Sequence, residues 1–163
     1  MGRMQGKAGL KAVLKAVRGK FRSVYIRRAY EVPAKAPRGA ELTVGIRYDD
    51  AFILYRDGKE VLRKGVEGAG ASIAKVKKHE AEVWEYFKLG PANPGQKGVI
   101  AIEGHNENID SSVFTLRPRI DYRANGKLYP VIREGASWAY LEGGTPGAGW
   151  ASIGGIGGDE AAA

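Results

Sequence analysis

Glu41-Leu-Thr-Val-Gly-Ile-Arg-Tyr48, followed directly by Asp49-Asp-Ala-Phe-Ile-Leu-Tyr-Arg56-Asp-Gly-Lys-Glu-Val-Leu62, is the stretch that decides the fold. Leu42, Val44, Ile46 and Tyr48 recur at every second residue. Successive side chains of a strand point to opposite faces, so this alternation predicts a strand with one face in a core. Ala51 to Tyr55 is a continuous apolar run and predicts a strand buried on both sides. Asp57-Gly58 then stands between that run and Glu60-Val61-Leu62. A two-residue type I′ turn needs positive φ at both central positions, so the pair predicts a hairpin.

The same signals continue on either side. Upstream, Ser23 to Val32 is rich in aromatic and β-branched residues and suits a strand. Pro33, Pro37 and Gly39 mark the loop between the two. Downstream, residues 65–80 contain Gly65, Gly68 and Gly70 and read as an irregular insertion before a strand near Val83–Phe87. Gly90-Pro-Ala-Asn-Pro-Gly95 is turn chemistry. Val99 to Ile102 predicts a buried strand and Val113 to Tyr122 another, and Asn125-Gly126 turns the chain toward Leu128–Ile132. Short strands between regular turn signals predict an all-β fold, a jelly-roll β-sandwich.

Composition narrows the chemistry. The chain has 163 residues, 24 glycines, no cysteine and a net charge of +8. Without cysteine there is no disulfide framework, zinc ribbon or thiol nucleophile. Two histidines, His79 and His105, cannot make a His-rich metal site. No apolar run approaches the ~18 residues of a membrane helix. The charge is uneven: residues 1–40 hold eleven Lys/Arg against one acid, Glu31. Within Met4–Lys20, Leu10, Val13, Leu14 and Val17 form an apolar stripe at helical spacing and predict a short N-terminal amphipathic helix. Such a helix packs on its own domain, lies on anionic lipid or attracts nucleic acid. Nine of the glycines lie between Gly135 and Gly158. The chain thus divides into a basic leader (1–20), a β-sandwich (21–123) and a Gly-rich tail (124–163).

Three stretches coincide in order and spacing. They are Ser23-Val-Tyr-Ile-Arg-Arg-Ala-Tyr-Glu-Val-Pro33, Tyr48-Asp-Asp-Ala-Phe-Ile-Leu-Tyr-Arg-Asp-Gly-Lys-Glu-Val61, and Gly98-Val-Ile-Ala-Ile-Glu-Gly-His-Asn106 with Asp110-Ser-Ser-Val-Phe-Thr-Leu-Arg-Pro118. Together they resemble the galactose-binding-domain-like β-sandwich modules of large secreted or surface bacterial proteins. The departures are Asp57 where that family often has Asn, Lys97-Gly98 where it has Gly-x-Asn, and Val113 where it has an acid. The tail segment from Pro130 through Trp138, Tyr140 and Gly144 to Trp150 resembles the opening of a further such module, or supplies a missing strand to its own domain.

Individual residues carry two readings each. Asp49 and Asp50 cap a turn, or with Asp110 hold Ca²⁺, which takes six to eight oxygens. In a regular strand Asp49 and Asp50 would face opposite ways. Glu103 beside His105 invites acid–base chemistry, but no nucleophile motif accompanies it. The resemblance makes His105 and Asn106 loop anchors, with ligand contact as their second reading. Ser111 and Ser112 read as loop caps. Trp84 reads as core, whereas Trp138, Tyr140 and Trp150 are divided between packing and stacking on a sugar ring. Arg27 and Arg28 face opposite sides of a strand and make a poor phosphate clamp.

The resemblance implies a non-catalytic accessory module of a larger exported protein, extracellular or at the cell surface. It would bind a glycan or bridge neighbouring domains of the same polypeptide. No cofactor is required, with calcium the candidate cation. The start has no signal-peptide core, so either the protein is not exported or a longer chain is expected. The alternative is a nucleic-acid- or membrane-surface-binding protein acting through residues 1–38.

Overall fold

The computed structural model describes residues 5–17, 19–68, 75–108, 114–142 and 146–152. Gln5–Gly9 forms β1 and Leu10–Val17 the helix α1. Ser23–Glu31 is β2, Glu41–Asp49 β3, Ala51–Arg56 β4 and Lys59–Lys64 β5. Val66–Glu67 and Lys75–Val76 are the short strands β6 and β7. Glu85–Pro91 is β8, Lys97–His105 β9, Thr115–Ala124 β10, Lys127–Ile132 β11 and Ser137–Glu142 β12.

Among the described residues these strands make a six-stranded sheet in the order β1-β12-β2-β9-β4-β5 and a four-stranded sheet in the order β11-β10-β3-β8. β6 and β7 form a separate ribbon. The chain passes repeatedly from one large sheet to the other, as in a jelly roll, and the two inner faces enclose one core. The period-two pattern explains which residues meet there. Val24 and Ile26 of β2, Phe52 and Leu54 of β4, and Ile100 and Ile102 of β9 face inward from one sheet. Leu42, Val44 and Ile46 of β3 and Leu116, Ile120 and Tyr122 of β10 face them from the other. Both hairpins have their left-handed turn residues: Asp57 and Gly58 at φ 53° and 85°, Asn125 and Gly126 at 54° and 72°.

The Asp57 turn is tied to the sheet beside it. Its carboxylate accepts the Val99 N–H at 2.7 Å and its own N–H donates to the Val99 carbonyl at 2.9 Å. Gly98 makes room for this approach, because a Cβ there would collide with the Asp57 carboxylate and lie 2.6 Å from the Tyr30 hydroxyl. Gly98→Ala is expected to cost about 1–3 kcal/mol through overpacking. Thermal unfolding of the variant checks this, and an unchanged melting temperature would refute it.

Several expectations need correction. The leader is not helical throughout, since Gln5–Gly9 is a strand paired with β12. Two glycines in that stretch weaken a helix, and β12 offers it an open edge. The strand expected near Val83–Phe87 begins at Glu85 and runs through Gly90 and Pro91. Val83, 65% exposed, precedes it. Trp84 is half-buried instead of in the core, with the Arg117 guanidinium 5.7 Å from its ring centre. The division at 20 and 123 does not follow the sheets: β1 from the leader and β12 from the tail are neighbours in the larger one. β12 pairs on its other side with β2, so this part of the tail supplies a strand to its own domain.

Candidate functional site

The outer face of the six-stranded sheet carries a polar cluster. Ser23, Tyr25 and Arg27 of β2 alternate with inward residues, as do Glu103 and His105 of β9 and Tyr55 of β4. Opposite register brings Ser23 to His105 and Tyr25 to Glu103. The His105 ring lies between the Ser23 hydroxyl, 2.7 Å from Nδ1, and the Glu103 carboxylate, 3.1 Å from Nε2. One tautomer satisfies both contacts: Nε2–H donates to Glu103 while the Ser23 O–H donates to Nδ1. The Tyr55 hydroxyl donates to the other Glu103 oxygen at 2.8 Å. Burial, with the Glu103 charge adding to it, pushes the Tyr25 phenol up to about 12.

This cluster is roofed. Trp150 stands edge-on to Tyr25 and Tyr55, with ring centres 5.5 and 5.7 Å away. Its carbonyl accepts from Arg27 Nη1 at 2.7 Å. Glu103 is 3% exposed and His105 1%. Ser23, His105 and Glu103 thus form a hydrogen-bonded series in which the histidine and glutamate are buried and Ser23 is partly exposed.

Asp49 and Asp50, at the β3–β4 junction, are both buried, and the peptide bond between them is cis. Asp50 uses both carboxylate oxygens on backbone: Oδ1 accepts from the His79 N–H at 3.1 Å and Oδ2 from the Glu107 N–H at 2.8 Å. It thereby pins the loops after β7 and after β9 to one point. The His79 ring stacks on Tyr48 at 3.9 Å, with Nδ1 2.9 Å from the Tyr48 carbonyl and Nε2 2.8 Å from Glu85. Among the described residues no three His, Cys, Asp or Glu side chains converge as a metal cage. Asp110, Ser111 and Ser112 lie outside the described residues.

Asp49 has a consequence for pH. Burial, then the hydrogen bond and charge of Asp50 and of Glu80, push its carboxyl from 3.8 up to about 7. The folded state thus holds a proton that the unfolded chain releases. Stability from this group is full below about pH 4 and is lost as pH rises through about 7. Asp49→Asn, which stays neutral, is expected to flatten that decline and to melt several degrees above wild type at pH 8. Melting curves at pH 5 and 8 check it, and parallel curves would refute it.

Of the aromatic candidates, Trp138 is buried and Tyr140 and Trp150 are partly buried. Trp138 is 1% exposed and lies between the sheets, where no sugar ring reaches it. Tyr140 packs against the same core. Trp150 roofs the polar cluster. His105 and Asn106 are buried, and the Asn106 N–H donates to the Arg22 carbonyl at 2.8 Å. Part of residues 1–38 is similarly committed. Leu10, Val13 and Leu14 pack on the core. Arg27 and Arg28 bind the carbonyls of Trp150 and Ser137, and Arg22 binds those of Asn106 and Glu107.

An open surface lies elsewhere, on the outer face of the four-stranded sheet. Phe87 turns toward the core, so its neighbour Tyr86 turns out and is 50% exposed. Tyr86 pairs with Gly45 across the strands, and its ring leans over that glycine. A Cβ at Gly45 would lie 2.6 Å from Tyr86 Cε1 and 3.0 Å from Arg119 Cγ. Beside Tyr86 is a shallow groove of about 340 Å³ lined by Thr43, Phe87, Lys88, Arg123 and Leu128. Residue type alone does not mark Tyr86, because a second aromatic, Phe87, stands next to it. The strand alternation that buries Phe87 is the signal that separates them.

Comparison with family models, curated proteins and solved structures found no match. In class the chain is an antiparallel jelly-roll β-sandwich in which Trp138 is internal, Tyr140 and Trp150 are partly buried and Tyr86 is exposed.

Proposed function

We propose that the chain is a non-catalytic, carbohydrate-binding accessory module of a larger exported protein, extracellular or at the cell surface. The observation that carries this reading is the exposed Tyr86 beside an open groove on a sheet face, next to the cations Lys88 and Arg123. A half-exposed aromatic offers a sugar an apolar patch, and groove-side polar groups fix its orientation. The resemblance to galactose-binding-like modules supports the same reading as analogy. The alternative through residues 1–38 is less favoured, because Leu10, Val13 and Leu14 of α1 and the arginines Arg22, Arg27 and Arg28 are spent on the domain itself.

The test is a panel of soluble polysaccharides run by affinity electrophoresis against wild type and Tyr86→Ala. Retardation by at least one polysaccharide, lost in the variant, is expected. Retardation by none would end the reading.

A further inference from the structure

We infer that the groove beside Tyr86 takes an acidic polysaccharide, one whose sugar units carry carboxylates. This rests on the carbohydrate reading and narrows it to a substrate class.

The strand alternation sets the charge of this face. β3 and β10 turn Arg47, Arg117, Arg119 and Arg123 outward, and β8 adds Lys88. These cations are not equally available. Arg119 makes two hydrogen bonds to Asp121, at 2.8 and 2.9 Å. Arg117 is paired with Glu134. Arg47 holds the carbonyls of Ala81 and Glu82. Lys88 and Arg123 remain at the groove itself. Arg123 makes no ion pair among the described residues. Lys88 Nζ lies 3.7 Å from the Glu41 carboxylate, and its side chain is 71% exposed. An exposed pair of that kind contributes little and yields readily to another anion.

The groove therefore presents one aromatic and two cations, since the buried Thr43 hydroxyl already donates to the Asp121 carbonyl at 3.3 Å. A neutral sugar would leave Arg123 without a counter-charge and Lys88 with only its exposed contact to Glu41. A uronate gives Lys88 or Arg123 a carboxylate while its ring stacks on Tyr86. A guanidinium matches a carboxylate in bidentate geometry, which favours Arg123 as the orienting contact. Nucleic acid fits less well. Its affinity grows with the number of phosphates neutralised, and two available cations hold a phosphate backbone weakly at physiological salt.

Glu41 provides an unusual check, because it occupies the position a ligand carboxylate would take beside Lys88. Removing its charge should improve binding. The full chain is titrated with polygalacturonate, a neutral galactan and an oligothymidylate at low and high NaCl. Polygalacturonate is expected to bind, and to weaken about tenfold or more at high salt. Tyr86→Ala and Arg123→Ala should each weaken it about tenfold, Tyr86→Phe should retain it, and Glu41→Gln should tighten it severalfold. All three positions are at the surface, and thermal melts confirm that the four variants fold. Equal, salt-insensitive and Tyr86-dependent binding of the neutral galactan would overturn the carboxylate inference and leave the carbohydrate reading standing. Preference for the oligothymidylate, or no saccharide binding at all, would overturn both.

Discussion

Trp138→Ala is expected to cost about 3–5 kcal/mol of stability, as large-to-small replacement of a buried aromatic does. Trp138 is 1% exposed and is among the largest fully buried side chains of the domain. A typical domain has only ~5–15 kcal/mol to lose. The melting temperature should fall by roughly 10 °C or more. Any glycan binding lost with this variant would then report unfolding and not a missing contact. Tyr86→Ala is the informative partner, because an exposed residue can lose its contact while the fold stays intact. Circular dichroism melts of both variants separate the two effects. A Trp138→Ala protein that melts with wild type would refute the core assignment.

Glu103→Ala is expected to be of similar size, about 3–5 kcal/mol, for a different reason. Glu103 accepts hydrogen bonds from Tyr55 and His105 inside the face roofed by Trp150. Truncating it leaves the hydroxyl and the imidazole without that acceptor, and buried polar groups stripped of a partner cost their full desolvation. Glu103→Gln keeps a carbonyl acceptor and the shape of the side chain, so it should retain most of the stability. Urea denaturation of the two variants distinguishes these outcomes. Equal midpoints for Ala and Gln would show that the hydrogen bonds contribute little.

The strands of the sandwich were legible because their signals are local. Alternation at Leu42 to Tyr48 and the turn chemistry of Asp57-Gly58 and Asn125-Gly126 need no knowledge of the rest of the chain. β1 was not legible. Gln5–Gly9 has no apolar alternation, and it is a strand because β12 offers it an edge far along the sequence. The start of β8 was misjudged for a similar reason. Val83 and Trp84 have strand-like side chains, but their segment follows a loop fixed by Asp50 and His79. At the site, aromatics gave an ambiguous signal because packing and sugar contact favour the same residue types. Trp138 and Tyr86 differ in which side of a strand they occupy, and that depends on register.

The pairing of β1 with β12 sets an order of events. A chain made from its N-terminus must hold Gln5–Gly9 without a sheet partner until Ser137–Glu142 has been synthesised. Strands paired across such a separation lose the most chain entropy on meeting, so they join late. β2, β9 and β4 have their partners earlier and can form the centre of the sheet first. The seam between the leader and the tail is then the last part of the sandwich to close. Substitutions there should accelerate unfolding while leaving the folding rate nearly unchanged.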